Sequence, residues 1–211
     1  MRKLSAKWVP KCLNANEKRQ RCQSSEQYLE FFRLDPNGFL SRLVTMYETW
    51  LYHYDPETKQ QSIEWRHSGS HRPEKFRLQK SAGKFLASIF WDQDGILLIN
   101  CLLNGQTMNA ECYSSLLVQL MGILKEKYRE KVTKGVLFLH YNAPAHRALA
   151  TEKKLAYLGF QCLDHPPYSS YLAPSDYHLF PGLKKQLKGR HFSSHAEVIF
   201  CRGDLVGRTT F

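Results

Sequence analysis

The residue types best suited to chemistry lie in two segments of the C-terminal half. Residues 140–146 read His-Tyr-Asn-Ala-Pro-Ala-His, and residues 174–178 read Pro-Ser-Asp-Tyr-His. His140 and His146 lack the partners and spacing of a zinc site, so we do not expect zinc ligation. Asp176 is the kind of hard oxygen ligand that Mg²⁺ prefers, although Mg²⁺ needs further acidic ligands beside it.

The chain is strongly basic. Its 211 residues include 30 Lys+Arg and 19 Asp+Glu, a formal net charge of +11. This excess favours a polyanionic partner, with nucleic acid first and an anionic membrane surface second, and a merely soluble basic surface is the alternative. With 43% hydrophobic and 13% aromatic residues, the chain has enough apolar material for one core.

Signals for a cellular compartment are few. The longest apolar run, residues 96–103, is far shorter than the ~20 residues that span a bilayer, and no apolar segment follows the N-terminal charges to make a secretory signal. The six cysteines lie at positions 12, 22, 101, 112, 162 and 201 and form no Cys-x-x-Cys pair. We therefore expect reduced thiols in a cytosolic or nuclear setting, and no membrane partner.

Hydrophobic periodicity predicts strands first, then alternating helices and strands. Patterning and capping residues predict helices at 14–32 (capped by Asn14 or Asn16), about 109–130, 147–158 and 175–188. Strands are predicted at 42–54, 63–65, 85–91, 96–103, 136–139 and 161–163, with turns at 35–38 and near 94–95. This order favours an α/β fold with a mixed sheet flanked by helices, as in ribonuclease H, although several three-layer folds share it.

Five motifs together resemble the mariner family of DNA transposases. Residues 140–146 resemble His-Asp-Asn-Ala-Pro-x-His, and residues 165–180 contain a segment similar to Pro-Tyr-Ser-Pro-Asp-Leu-Ala-Pro-Ser-Asp-Tyr-His-Leu-Phe. Residues 44–50 resemble Val-Thr-Gly-Asp-Glu-x-Trp, residues 8–10 (Trp-Val-Pro) resemble the family's linker motif, and residues 90–95 also fit. The resemblance implies a ribonuclease-H-like fold of the retroviral-integrase-like superfamily.

In that family, three acidic residues hold two divalent metal ions, Mg²⁺ or Mn²⁺, which cut DNA and join its 3′ end. Two such ions about 3.5–4 Å apart stabilise both the attacking and the leaving oxygen of the phosphodiester. Carried over by position, the three acids fall on Tyr47, Tyr141 and Asp176. The 34 residues between the last two are the spacing that the family has.

Two of these three positions therefore depart from the family. A phenol, with a reference pKa near 10, stays neutral at pH 7 and is bulkier than a carboxylate. The resemblance thus leaves Asp176 as the surviving catalytic and metal-binding acid, with weak metal binding or none, and we expect no cofactor to be bound. Glu48 and Asp92 are acids that could substitute, but we expect Asp92 to serve the 94–95 turn and Glu48 to point to the strand face opposite residue 47.

Candidate DNA contacts come from a basic run and from the motif around residue 142. The basic run could hold phosphates or could form only a solvated helix face, and it consists of Lys184, Lys185, Lys188 and Arg190. Asn142 and His146 match the family's motif, and we expect them either to tie their loop together by hydrogen bonds or to contact DNA.

The resemblance runs from about residue 2 to residue 199 and divides the chain. It implies an interdomain linker and leading helix at 1–38, a catalytic domain at 39–199 with a clamp-like insertion at 57–83, and a frameshifted tail at 200–211. Read one base later with suitable codons, residues 201–208 become Ala-Ala-Glu-Thr-Trp-Leu-Asp-Gly, which resembles mariner sequences, so the coding DNA decides this expectation.

Partners follow from the same division. Family members begin with two helix-turn-helix modules that read terminal repeats. Because Met1 falls where their interdomain linker lies, we expect non-specific binding to double-stranded DNA. A homodimer through Trp8-Val9-Pro10 and a nuclear location are further expectations.

Three functions remain open from the sequence. The leading interpretation is a transposase-derived domain that binds DNA without specificity and does not cut it. The second is a divalent-metal nuclease with rearranged ligands that nicks DNA. The third is the non-functional product of a decayed transposable element.

Overall fold

The computed structural model describes residues 13–58, 60–65, 67, 69–71, 74, 79, 83–102, 106–166, 188–192 and 197. Its helices are α1 (Ala15–Leu34), α2 (Pro36–Arg42), α3 (Ala110–Lys127), α4 (Arg129–Thr133) and α5 (Leu149–Leu158). Its strands are β1 (Leu43–Tyr52), β2 (Lys84–Asp92), β3 (Gly95–Leu102), β4 (Leu137–Leu139) and β5 (Gln161–Leu163). No helix within these ranges is both long and apolar enough to cross a membrane.

The five strands form one mixed sheet in the order β3-β2-β1-β4-β5. β1, β2 and β3 are antiparallel neighbours, whereas β4 runs parallel to β1 and β5 runs parallel to β4. The β2–β3 turn ends at Gly95, whose φ of 134° is a conformation that residues with a side chain rarely adopt. The predicted mixed α/β sheet with flanking helices is confirmed.

Helices cover both faces of this sheet. On one face α3 and α5 pack on alternate strand residues; the buried core there is Val44, Met46, Phe90, Tyr113, Leu116, Leu117, Leu120, Met121, Leu124, Val136, Phe138, Leu155 and Phe160. On the other face, Tyr28 of α1 and Phe39 of α2 pack against Leu137, Leu139 and Leu163. Fully burying each such leucine stabilises the fold by about 2 kcal/mol. β4 is therefore buried on both faces, as its continuous apolar sequence predicts.

Most predicted helix ends are confirmed by their capping contacts. The Asn14 side chain accepts a hydrogen bond from the Glu17 N–H at 2.8 Å, and the Glu17 carboxylate accepts from the Asn14 N–H at 2.9 Å. The Asn109 side chain accepts from the Cys112 N–H at 2.8 Å. Gly159 ends α5 with a left-handed φ of 77°.

The predicted turn at 35–38 is wrong, because these residues begin α2. The Asp35 side chain caps the helix by accepting a hydrogen bond from the Gly38 N–H at 2.9 Å. Pro36 occupies the first helical position, where a backbone N–H would have no partner within the helix, so its absence removes no hydrogen bond. The boundary that the sequence suggests between residues 38 and 39 falls inside α2.

Two further elements differ from their predictions. The helix predicted to reach about residue 130 ends at Lys127, and α4 begins after Tyr128, which has non-helical angles (φ −133°, ψ 49°). Ile63 and Trp65 form no strand, since the former is 76% and the latter 104% exposed and neither packs on the sheet. The leader at 1–12 and nearly all of the helix predicted at 175–188 lie outside the described residues.

A buried ion pair joins the β2–β3 turn to α4. Asp92 Oδ1 accepts hydrogen bonds from the Asp94 N–H at 2.9 Å and the Gly95 N–H at 3.1 Å, and Oδ2 accepts from the Lys131 ammonium. The two charged side chains are 0% and 6% exposed, respectively. The predicted turn role of Asp92 is confirmed, while its cation, 39 residues away, gave no signal in the sequence.

We predict that Lys131→Met destabilises the fold by about 3–5 kcal/mol, because it leaves the Asp92 carboxylate buried without its cation. Urea unfolding followed by circular dichroism measures the loss. Lys127→Met, at an exposed position near the end of α3, is the matched control and should change stability by less than about 0.5 kcal/mol. Adding Asp92→Asn to Lys131→Met should restore much of the loss; equal stability of Lys131→Met and Lys127→Met would contradict the role of the pair.

Candidate functional site

The parallel pairing of β1 and β4 brings two of the three predicted site positions together. The register joins Leu43 to Leu137 and Thr45 to Leu139. Two residues further along both strands, the rings of Tyr47 and Tyr141 meet edge to face, with centroids 5.4 Å apart and planes at 69°. Such an aromatic pair stabilises a fold by about 0.5–1.5 kcal/mol more than the burial of its surface area alone. The predicted convergence of positions 47 and 141 is confirmed, and Asp176 lies outside the described residues.

The loop after β4 is fixed by its own polar side chains. Asn142 donates to the His165 carbonyl oxygen and accepts a hydrogen bond from Arg147 Nε at 2.9 Å. The Thr151 hydroxyl donates to the Ala145 carbonyl oxygen at 2.7 Å. These bonds hold the backbone on which Tyr141 is carried, so the prediction that Asn142 ties its loop together is confirmed.

His146 is the buried centre of this loop. It is 1% exposed, and its Nδ1 lies 2.8 Å from the Tyr141 carbonyl oxygen. Its Nε2 lies 3.4 Å from Glu48 Oε1. Both neighbours are hydrogen-bond acceptors, so the imidazole ring links the Tyr141 backbone to Glu48. The loop-tying role predicted for His146 is confirmed, and its contact with DNA stays a prediction.

Glu48 points away from Tyr47, as strand alternation predicts. Tyr47 packs beside Leu51 and Ile89 on one face of the sheet, whereas Glu48 reaches His146 on the other. The negative charge of Glu48, after burial, also helps raise the pKa of Tyr113. Glu48 therefore belongs to the buried cluster around His146 on one sheet face, and not to the face that carries Tyr47.

Tyr113 and His140 complete this buried cluster. Neither was a candidate site residue in the predictions from the sequence. The Tyr113 ring stacks on His146 with centroids 4.1 Å apart, and its hydroxyl lies 3.0 Å from His140 Nδ1. Burial first, and then the nearby His146 and Arg147 charges, lower the pKa of His140 to about 3. His140 is therefore neutral at pH 7. Its position in the 140–146 motif was the one available signal.

The predicted basic contacts are only partly described. Lys184 and Lys185 lie outside the described residues. Lys188 is partly buried and Arg190 is exposed, in a segment that runs beside the end of β1. Two backbone bonds fix this segment: the Gly189 N–H donates to the Asp55 carbonyl oxygen at 2.7 Å, and the Phe192 N–H donates to the His53 carbonyl oxygen at 3.0 Å.

An open cleft lies beside Asn142, the residue that follows Tyr141. Its volume is about 670 Å³, and it lies between α1 and the segments that follow β4 and β5. Gln20, Gln23 and Gln27 line one wall, and Arg147 and His165 line the other. Crevices at the carboxyl ends of strands are where open α/β sheets bind ligands. Among the described residues, no group of three or more His, Cys, Asp or Glu is placed to hold a metal ion.

Comparisons with known proteins agree with this fold. The family model described as Transposase (partial DDE domain) matches residues 55–134. The Mariner Mos1 transposase of Drosophila mauritiana is 34% identical over 194 residues, which cover 91% of this chain and 55% of that protein. The crystal structure of the Mos1 catalytic domain superposes with a TM-score of 0.74 at 30% identity, over 96% of this chain and 86% of that domain.

The chain belongs to the mariner family of DNA transposases. Its sheet and flanking helices are the ribonuclease-H-like fold of the Mos1 catalytic domain. The human histone-lysine N-methyltransferase SETMAR is also similar, at 31% identity over 193 residues that cover 28% of that protein. The chain thus spans about half the length of the first of these curated relatives, and a smaller share of the second.

We predict that stability falls in acid because His140 is buried and neutral. The unfolded chain takes up this proton near pH 6.5, whereas the folded chain resists it until about pH 3. The unfolded state therefore gains stability as pH falls below 6.5, by roughly 2 kcal/mol at pH 5. His140→Asn, which removes this titration, should flatten the difference in urea unfolding free energy between pH 7 and pH 5.

The matched control is His67→Asn at an exposed position, which should keep the full pH dependence of the unaltered chain. Identical pH dependence in the His140→Asn and His67→Asn variants would show that His140 does not carry the effect.

Proposed function

We propose that this chain is a mariner-derived domain that binds double-stranded DNA without sequence specificity and neither cuts nor joins it. The observation that carries the proposal is the ring-to-ring packing of Tyr47 and Tyr141 at two of the positions where the family's pattern has metal-binding acids. Mos1 has been crystallised with Mn and with Mg, in assemblies with transposon ends.

These two positions do not fit a pair of divalent ions. Mg²⁺ requires anionic or carbonyl oxygens in near-octahedral order at short range. A phenol is not a carboxylate, the ligand type that such ions prefer, and the two rings pack edge to face against each other at these positions. On this proposal, Asp176 is the one remaining acid of the set and binds metal weakly or not at all.

Neither neighbouring acid is positioned to take over. Glu48 is directed to the opposite face and contacts His146. Asp92 uses both oxygens, for the β2–β3 turn and for Lys131, and it lies towards the amino end of β1, where Trp91 pairs with Thr45. These engagements argue against the alternative of a nuclease with rearranged ligands.

Charge supports DNA as the partner. The net charge of +11 favours a polyanion, and solved structures of Mos1 include DNA complexes such as a pre-cleavage transpososome. We assign phosphate contact to Lys184, Lys185, Lys188 and Arg190. Asn142 would face the DNA from its loop, and His146 would act through the loop it fixes.

The remaining parts of the proposal follow the family's plan. Residues 39–199 would be the catalytic domain and 57–83 its clamp-like insertion. A homodimer would form through Trp8-Val9-Pro10, and the chain would act in the nucleus, where its DNA partner is.

We predict that the unaltered chain does not nick supercoiled plasmid in Mg²⁺ or Mn²⁺. Tyr47→Asp alone and Tyr141→Asp alone should also be inactive, because residues that act as a unit are not additive. The double variant should recover trace nicking that Asp176→Ala abolishes. Agarose gels of relaxed against supercoiled plasmid give the readout, and metal-dependent nicking by the unaltered chain that is lost on Asp176→Ala would overturn the proposal.

We also predict weak duplex binding whose affinity falls steeply with salt, because lysine and arginine contacts release counterions. In fluorescence anisotropy, Lys188→Ala and Arg190→Ala should each reduce the log–log salt slope by about 1. Lys154→Ala on α5, where the ammonium lies over the Tyr157 ring, is the control and should leave the slope unchanged. Unchanged slopes in the first two variants would remove these residues from the interface, and strong preference for one duplex sequence would contradict non-specific binding.

A further inference from the structure

The Tyr47–Tyr141 pair has chemistry of its own, independent of DNA binding. The two side chains come from neighbouring parallel segments and meet edge to face at 5.4 Å between centroids. Tyr141 is 39% exposed and Tyr47 is half-buried, so the pair lies at the surface, where a small oxidant can reach it. Among the ring contacts described between placed residues, this is the one that joins two tyrosines.

We propose that Tyr47 and Tyr141 form an oxidative cross-linking site, at which a peroxide acting through a haem peroxidase couples the two rings within one chain. Each phenol loses one electron and its hydroxyl proton, which leaves a phenoxyl radical with spin on the carbons next to the oxygen. One such carbon of each ring joins the other in a new carbon–carbon bond. The two ring hydrogens at that bond then move to the oxygens and restore both hydroxyls.

The reaction balances with one peroxide. Two tyrosines lose two hydrogen atoms in total, and hydrogen peroxide is reduced to two molecules of water. The two tyrosines are the reductant and the peroxide is the oxidant, so the reaction needs no other reagent. No atom of the peroxide is retained in the cross-linked chain.

The structure favours coupling inside the chain over coupling between chains. Both partners are held on ordered backbone: Tyr47 in the middle of β1, and Tyr141 on the loop fixed by the bond between His146 and its carbonyl oxygen. The rings already touch, so a radical on one meets the other before it meets a second molecule. The product would tie β1 covalently to the segment after β4.

The test oxidises the purified full chain with horseradish peroxidase and hydrogen peroxide, followed by trypsin and mass spectrometry. The tryptic peptide 135–147 contains Tyr141 as its one tyrosine, whereas peptide 43–59 contains Tyr47, Tyr52 and Tyr54. We expect these two peptides to be joined, with the loss of two hydrogen atoms, in material that remains monomeric on a denaturing gel. The yield should not depend on protein concentration.

Three variants make the outcome decisive. Tyr47→Phe and Tyr141→Phe keep a ring in place but supply no phenoxyl radical, so each should lose the join by at least tenfold while circular dichroism shows an unchanged fold. Tyr157→Phe removes a tyrosine that is 84% exposed and should keep the join. A join that persists in Tyr47→Phe, or oxidation that yields only dimers coupled through other tyrosines, would overturn the proposal.

Discussion

The short parallel pairing between β1 and β4 is the constraint on which the site depends. Three residue pairs define the register, and both sheet faces fix it, through Val44 and Phe138 under α3 and through Leu43 and Leu137 under α1 and α2. A slip of one residue would turn every side chain of β4 to the opposite face of the sheet. The loss of core packing would destabilise the fold, so the register is strongly specified. Positions 47 and 141 must therefore meet, whichever residues occupy them.

The contacts described for the buried cluster behind the site do not involve the side chains at positions 47 and 141. His146 bonds the backbone carbonyl of Tyr141 rather than its side chain, and stacks on Tyr113. Glu48 and His140 complete this buried cluster on the far face of the sheet. The cluster holds the loop through backbone and core contacts, so the fold around the site does not depend on which side chains stand at positions 47 and 141.

Local sequence patterns predicted most helices and strands, but they did not predict contacts between residues far apart in the chain. The β-branched and aromatic run of β1 and the caps at Asn14 and Asn109 are properties of adjacent residues, and the structure confirms them. Residues 35–38 predict a turn by composition, although a cap residue such as Asp35 followed by proline is equally a helix start. The Lys131–Asp92 pair depends on where α4 packs, which no window of the sequence reveals. The position of Tyr141 beside Tyr47 was found only because the family's spacing supplied the register.

Under the proposed function, tyrosines stand at two of the three metal-binding positions of an otherwise retained mariner fold, and the chain holds no pair of divalent ions. Titration of the full chain with Mn²⁺, followed by electron paramagnetic resonance of the free ion, tests this loss of metal binding directly. We predict no saturable binding by the unaltered chain and saturable binding by the variant that carries both Tyr47→Asp and Tyr141→Asp. Saturable binding by the unaltered chain that Asp176→Ala removes would contradict it.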